Sequence, residues 1–195
     1  MKKLLIAISC LFATGMTQAQ SLAPAPTASP ARFLLGMGLS GGGDELASAH
    51  YEDGKNVNIH AGGLVYFTAG VDYRFTPEFA VQGTVNYHFD RANAKNGDIK
   101  FERFPVELIG YYQPNPSWRV GGGVRYTMSP KLSSSGAASG IEASFDNTTS
   151  AVAEAEYFVN PRFGVKLRYV NETFKARAYN DVDGSHIGVS ANLYF

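Results

Sequence analysis

The sequence predicts an all-β fold: an eight-stranded antiparallel transmembrane β-barrel with three short periplasmic turns and four longer extracellular loops. Three observations carry this expectation. Apolar and polar residues alternate with period two through eight separate segments. Short, proline-bearing connections alternate with long polar ones. Aromatic residues crowd the strand ends beside each short connection.

In the first segment Phe33, Leu35, Met37 and Leu39 alternate with Leu34, Gly36, Gly38 and Ser40. The second sets Val65, Phe67, Ala69, Val71, Tyr73 and Phe75 against Tyr66, Thr68, Gly70, Asp72 and Arg74, and its phase can be followed back to Val57. The third sets Phe79, Val81, Val85, Tyr87 and Phe89 against Ala80, Gln82, Thr84, Asn86 and His88. In the fourth, Phe104, Val106, Leu108, Gly110 and Tyr112 oppose Arg103, Glu107, Ile109 and Tyr111. In the fifth, Trp118, Val120, Val124, Tyr126 and Met128 oppose Arg119, Gly121, Gly123, Arg125 and Thr127. The sixth places Ala151, Ala153, Ala155, Tyr157 and Val159 against Val152, Glu154, Glu156 and Phe158. The seventh places Phe163, Val165, Leu167 and Tyr169 against Gly164, Lys166, Arg168 and Glu172. The eighth ends the chain, with Ile187, Val189, Ala191, Leu193 and Phe195 against His186, Gly188, Ser190, Asn192 and Tyr194.

The short connections are Thr76–Glu78, Gln113–Ser117 and Asn160–Arg162. A soluble β-sandwich has no reason to keep its short turns at one end, whereas a membrane barrel does. An even strand count returns both ends of the barrel to that side. Tyr73, Phe75, Phe79, Tyr112, Trp118, Tyr157 and Phe163 flank the short turns and are the expected interfacial aromatics.

The first 19 residues read as a secretory signal peptide: Lys2 and Lys3, an apolar core from Leu4 to Phe12, and Thr17-Gln18-Ala19 before the cleavage point. A lipoprotein signal at Cys10 is the rival, but Cys10 falls inside the apolar core. Residues 20–31 form a Pro/Ala-rich leader, and residues 32–195 the barrel. Removing the signal peptide removes the sole cysteine, and with it disulfides and thiolate metal sites. It also leaves 15 basic against 17 acidic residues, which offers no field for nucleic acid.

The polar face carries the strongest chemical pattern. Asp72, Arg74, Arg103, Glu107, Arg119, Arg125, Glu154, Glu156, Lys166, Arg168 and Glu172 are expected inside an eight-stranded barrel, whose narrow interior is filled by side chains. Pairing Val159 with Phe163 puts Glu156 opposite Lys166 and Glu154 opposite Arg168, and pairing Phe75 with Phe79 puts Asp72 opposite Gln82. Charges buried there must be paired, so an interlocked network is expected, with Arg125 near Glu154 as a further contact. Pro105, which has no backbone donor, calls for a bulge or fraying near the outer end of the fourth strand.

Other motifs are weaker. Gly36, Gly38 and Gly41 have dinucleotide-loop spacing, but no apolar helix follows them. In a barrel, Gly36 and Gly38 face inward and leave room for arginine or tyrosine neighbours. Ser185-His186 are adjacent and alternate in face, which is wrong for a nucleophile and its base. Asn180–Gly184 lacks the full calcium-loop frame and reads as a turn. The loop from Gly41 to Asn56, with Asp44, Glu45, His50, Tyr51, Glu52 and Asp53, is the clearest binding candidate.

The signal peptide, the eight segments, "DYRFTPEF", "RFPVELIGYY", "FVNPRFGVKLRYV" and the closing "IGVSANLYF" resemble the small outer-membrane β-barrel proteins of Gram-negative bacteria, the OmpA/OmpX-like barrels. The resemblance covers residues 32–195 and implies a place in the outer membrane, among its lipid and lipopolysaccharide. It implies that Phe195, with Leu193 and Val189 at alternate positions before it, is the signal read by the barrel-insertion machinery. No cofactor, metal or catalytic residue is implied, and the chain has no room after the barrel for a peptidoglycan-binding domain. The expected role is structural or interactive, with a possible surface ligand at the extracellular loops. The alternatives are a lipid-modifying enzyme and a narrow channel for small or apolar solutes.

Overall fold

A computed structural model of the chain describes residues 29–50, 56–94, 97–136, 140, 142–175 and 180–195. The expected signal peptide, most of the leader, and Tyr51, Glu52 and Asp53 lie outside these residues, as does the side chain of His50. Thirteen strands are described: β1 (Ala31–Gly41), β2 (Glu45–His50), β3 (Asn56–His60), β4 (Leu64–Arg74), β5 (Phe79–Ala94), β6 (Gly97–Asn115), β7 (Trp118–Gly136), β8 (Ala143–Ser144), β9 (Thr148–Asn160), β10 (Phe163–Asn171), β11 (Thr173–Phe174), β12 (Val182–Asp183) and β13 (His186–Tyr194).

Eight of them close into a ring, in the order β1-β4-β5-β6-β7-β9-β10-β13 and back to β1, every pairing antiparallel. Closure leaves no strand edge unpaired, which a lipid environment demands. The two ends of the barrel meet: Phe33 and Phe195 exchange both backbone hydrogen bonds, at 3.2 and 2.9 Å. Period two sorts the side chains as expected. Leu35, Val85, Leu108, Val124, Leu167 and Val189 are exposed, while Asp72, Arg119, Arg125 and Glu156 are wholly buried.

The three short turns share one device. A side-chain oxygen just before a proline accepts the backbone N–H two residues further on: Thr76 Oγ1 from Glu78 at 3.3 Å, Asn115 Oδ1 from Ser117 at 3.0 Å, and Asn160 Oδ1 from Arg162 at 2.9 Å. Proline sets the φ of the next position and the side chain satisfies the amide that the turn exposes.

The described parts of the connections at the other end carry further strand pairings. β2 pairs with β3, β8 with the outer part of β7, and β11 with β12. The phase that runs back from Val65 to Val57 therefore belongs to two strands, because a turn at Ala61-Gly62-Gly63 separates β3 from β4. β6 and β7, at 19 residues each, extend about 60 Å along their axes. That exceeds an apolar band of about 25 Å even at a steep tilt. Near Pro105 the β6–β7 register shifts between Glu102 and Phe104, and Ser129 beside the shift has a φ of 51°.

Candidate functional site

Inside the barrel a single file of ion pairs runs along the axis. Arg32 meets Asp72 at 2.7 Å, and Arg119 joins Asp72 to Glu156 at 2.6 Å each. Lys166 lies 3.9 Å from Glu156 and 2.9 Å from Glu154. Arg168 bridges Glu154 at 3.1 Å and Glu107 at 2.5 Å. Arg125 then links Glu107 at 3.0 Å to Glu172 at 3.5 Å. The order is cation, anion, cation, anion throughout, five of each. Removing these charges from water carries a large desolvation cost, and the mutual pairing offsets it only when most acceptors and donors are used.

Neutral partners fill the gaps. Tyr194 donates to Glu156 Oε1 at 2.7 Å, Lys166 donates to Tyr111 Oη at 2.8 Å and to Gln82 Oε1 at 3.0 Å, and Tyr111 donates to Glu154. Thr84 donates to Glu107 at 3.1 Å and Thr127 to Glu172. The Arg119 guanidinium also lies over the Tyr111 ring, 4.0 Å from its centroid.

Most of the expected interior residues belong to this file, with three differences. Arg74, half-buried at the periplasmic rim, donates to Gln113 Oε1 at 2.6 Å, and Arg103 donates to the Ala61 carbonyl and to His88 Nδ1. Neither makes an ion pair among the described residues; each sits beyond one end of the file. Arg125 pairs with Glu107 and Glu172 rather than with the expected Glu154, which Lys166 and Arg168 occupy. The β9–β10 register does place Glu156 opposite Lys166 and Glu154 opposite Arg168, after an irregularity at Phe163/Gly164. Within it Lys166 leans diagonally to Glu154. Arg32 went unread because it adjoins the leader, although alternation with Phe33 points it inward.

Above the file the lumen changes character. His88 stacks on Tyr66 with centroids 4.7 Å apart, and Arg103 lies 5.5 and 5.6 Å from the ring centroids of Phe101 and Phe174. Beyond Arg103, an apolar cluster of Ala47, Ile59, Ala61, Ile99, Phe101, Leu132, Phe145 and Phe174 joins all four long connections. At this level the alternation inverts. Ile99 and Phe101 are buried while Lys100 and Glu102 turn outward and pair with each other. That is the pattern of a protein in water, so the inversion marks where the strands leave the membrane. Asp44 and Asp183 tie the first and last connections together: Asp44 N–H donates to the Asp183 carbonyl at 2.7 Å, and Asp183 N–H to Asp44 Oδ2 at 2.8 Å.

On the outside, Tyr73, Phe75, Phe79, Tyr112, Trp118 and Tyr157 are exposed beside the short turns. Phe163 is only partly exposed. Phe79 packs on Tyr112 at 5.3 Å and Trp118 on Tyr157 at 4.9 Å. A second aromatic group, Phe67, Tyr87, Phe89 and Phe104, lies nearer the long connections, with Tyr87 and Phe104 centroids 5.0 Å apart. Phe79 and Tyr87 are separated by about 27 Å along β5. Val189 and Leu193 face outward on β13, and Phe195, just after its end, is also exposed.

No catalytic arrangement is formed by the motifs singled out. Ser185 Oγ bonds the backbone of Glu172, and His186 Nδ1 lies 2.7 Å from the Gly184 carbonyl. Among the described residues no three His, Cys, Asp or Glu side chains are grouped to hold a metal ion.

Comparison with known proteins agrees with this architecture. The family described as outer membrane protein beta-barrel domain matches residues 7–195. Among solved structures, Ail, the attachment invasion locus protein of Yersinia pestis, is similar with a TM-score of 0.53 at 16% identity, over 85% of this chain and 97% of that one. Neisserial surface protein A has a TM-score of 0.49 at 12% identity, over 86% and 98%. OprG from Pseudomonas aeruginosa has a TM-score of 0.47 at 16% identity, over 86% and 96%. No curated protein matches the chain in sequence. A closed eight-stranded barrel with a lipid-facing apolar wall and a match along nearly its whole length place this chain in the outer membrane protein β-barrel family, at home in the outer membrane of a Gram-negative bacterium.

Proposed function

We propose that this barrel has a structural and surface-interaction role, and that it neither conducts nor catalyses. The observation that carries the reading is the filled axis: ten alternating charges occupy the lumen, and an apolar core assembled from the outer connections caps it. Eight strands leave little space beyond such a filling. The role of the wall is to sit in lipid and lipopolysaccharide, with the aromatics beside the short turns at the inner interface. Phe195, Leu193 and Val189 serve as the segment that the insertion machinery reads.

The loops are the part free to meet a partner. Residues 42–63, 91–102, 129–147 and 173–186 hold 10 Asp and Glu against seven Lys and Arg. Ail was solved with a heparin analogue, sucrose octasulfate. The acidic balance here opposes a polyanion of that kind and favours cationic partners.

Planar-bilayer recording of the refolded protein tests the reading. No steady single-channel steps are expected. Large, stable steps would show an open lumen and overturn it, and altered lipid A chemistry in a deletion strain would restore the enzymatic alternative.

A further inference from the structure

One cavity among the outer connections stands apart from the lumen. It has a volume of about 360 Å³ and lies where β2, the outer part of β7, the β8 segment and β12 converge. Its floor is apolar: Phe145 is buried, and Leu46, Ala143 and Val182 are partly buried against the same core. Its rim carries Glu45 and Glu142, both exposed, and among the described residues no lysine or arginine lines it.

The cavity is held in shape by backbone pairing rather than by its own side chains. Leu132 pairs with Ala143, Thr173 and Phe174 pair with β12, and the Asp44–Asp183 bonds lock β12 against the start of β2. Asn58 Nδ2 donates to Glu45 Oε2 at 2.6 Å, which fixes that carboxylate and leaves its other oxygen free of this bond. A preformed apolar hollow of this size with a few polar groups at its mouth is what a small ligand needs.

We infer that this hollow binds a small organic ammonium ion: an apolar ring or short chain seated on Leu46, Ala143, Phe145 and Val182, and the charged group between Glu45 and Glu142. The reading rests on the surface-interaction role proposed above and names its ligand class. Charge-assisted hydrogen bonds to two carboxylates select the cation. The volume holds one ring or a branched chain and excludes a folded partner. A divalent metal is a poorer occupant, since among the described residues no third ligand of the usual kinds completes a set here.

The test uses the whole mature protein in lipid nanodiscs with methyl-labelled side chains, and 2-phenylethylammonium as the probe. Saturable shifts are expected at the methyls of Leu46, Ala143 and Val182, with a Kd of about 1 mM for so small a ligand. 2-Phenylethanol should bind about tenfold more weakly, and phenylacetate should give no saturation. Glu142→Gln should weaken the ammonium about five- to tenfold while leaving 2-phenylethanol unchanged, which separates a lost charge from a lost fold. Equal binding of alcohol and ammonium, or no shift at these methyls, overturns the inference. Loop replacement on whole cells tests the surface role separately, so either idea can fail while the other stands.

Discussion

The ring of Tyr66 occupies the space that a side chain on Gly38 would need: a Cβ at Gly38 would lie 2.5 Å from Tyr66 Cζ and 2.5 Å from the Val189 carbonyl oxygen. Tyr66 in turn supports His88 and, 5.5 Å from its ring centroid, Arg168. A bare stretch of β1 wall therefore admits a large side chain from β4, which packs beside Arg168 in the charge file.

That contact makes a contrast testable. Gly38→Ala should destabilise the barrel by about 1–3 kcal/mol, because neither the ring nor the backbone oxygen can yield cheaply. Gly83 faces outward with nothing within 4 Å of its Cβ position, so Gly83→Ala should be neutral or stabilising by up to about 1 kcal/mol. Urea unfolding in lipid vesicles, followed by the gel shift of unheated samples, measures both. Equal losses would mean that the interior clash is relieved by movement of the wall.

Arg119 lies between Asp72 and Glu156 and pairs with both carboxylates. Arg119→Met leaves two buried carboxylates without that cation, and a loss of about 3–5 kcal/mol is expected. Arg119→Lys should recover only part of it, since an ammonium lacks the planar fork that reaches both acids. The same unfolding assay decides; a loss under about 1 kcal/mol would show that water replaces the arginine.

The turn device predicts a smaller and local effect. Asn160→Ala removes the acceptor for the Arg162 amide and should cost about 1 kcal/mol. Asn115→Ala removes the acceptor for both Ser117 and Trp118, each at 3.0 Å, and should cost somewhat more. Faster hydrogen exchange confined to those amides would verify the mechanism.

The apolar cap above the lumen should loosen without unfolding the barrel. Phe174 is fully buried and packs edge-on to Phe101 at 5.9 Å and against Phe145 at 5.9 Å. Phe174→Ala should expose the exposed-side bonds at Lys131 and Lys175 to trypsin while the membrane-embedded fragment stays intact. Resistance equal to the parent protein would mean that the remaining core closes over the gap.

Strand number, faces and the side of the short turns were legible because period two and proline are local signals. Gly36 and Gly38 were correctly read as an inner face rather than a nucleotide loop, for Gly36 meets Asn192 and Thr68 and Gly38 meets Tyr66. Ion partners were legible only where a hairpin brought them together, as with Glu154 and Arg168. The links from Arg168 to Glu107 and from Arg119 to Asp72 cross the lumen between strands far apart in sequence, and no hairpin register can supply them. The outer core was missed although it left a sign: on β6 the inward residues turn from Arg103 to Phe101 and Ile99, reversing the polarity of the repeat. The extension of the second strand back to Val57 failed for a related reason, since β3 keeps the same alternation as β4 and only Ala61-Gly62-Gly63 separates them.

The charge file also constrains how such a barrel can change. Because its ten members alternate in sign and share partners, deleting any one leaves an odd number and a net unit of charge stranded in a buried interior. Deleting two neighbours of opposite sign restores balance. Tolerated variation along the axis should therefore obey parity: acids and bases leave or arrive two at a time, from adjacent places in the file and often from strands remote in sequence. A lone substitution at any of these positions is then a step that the next one must complete.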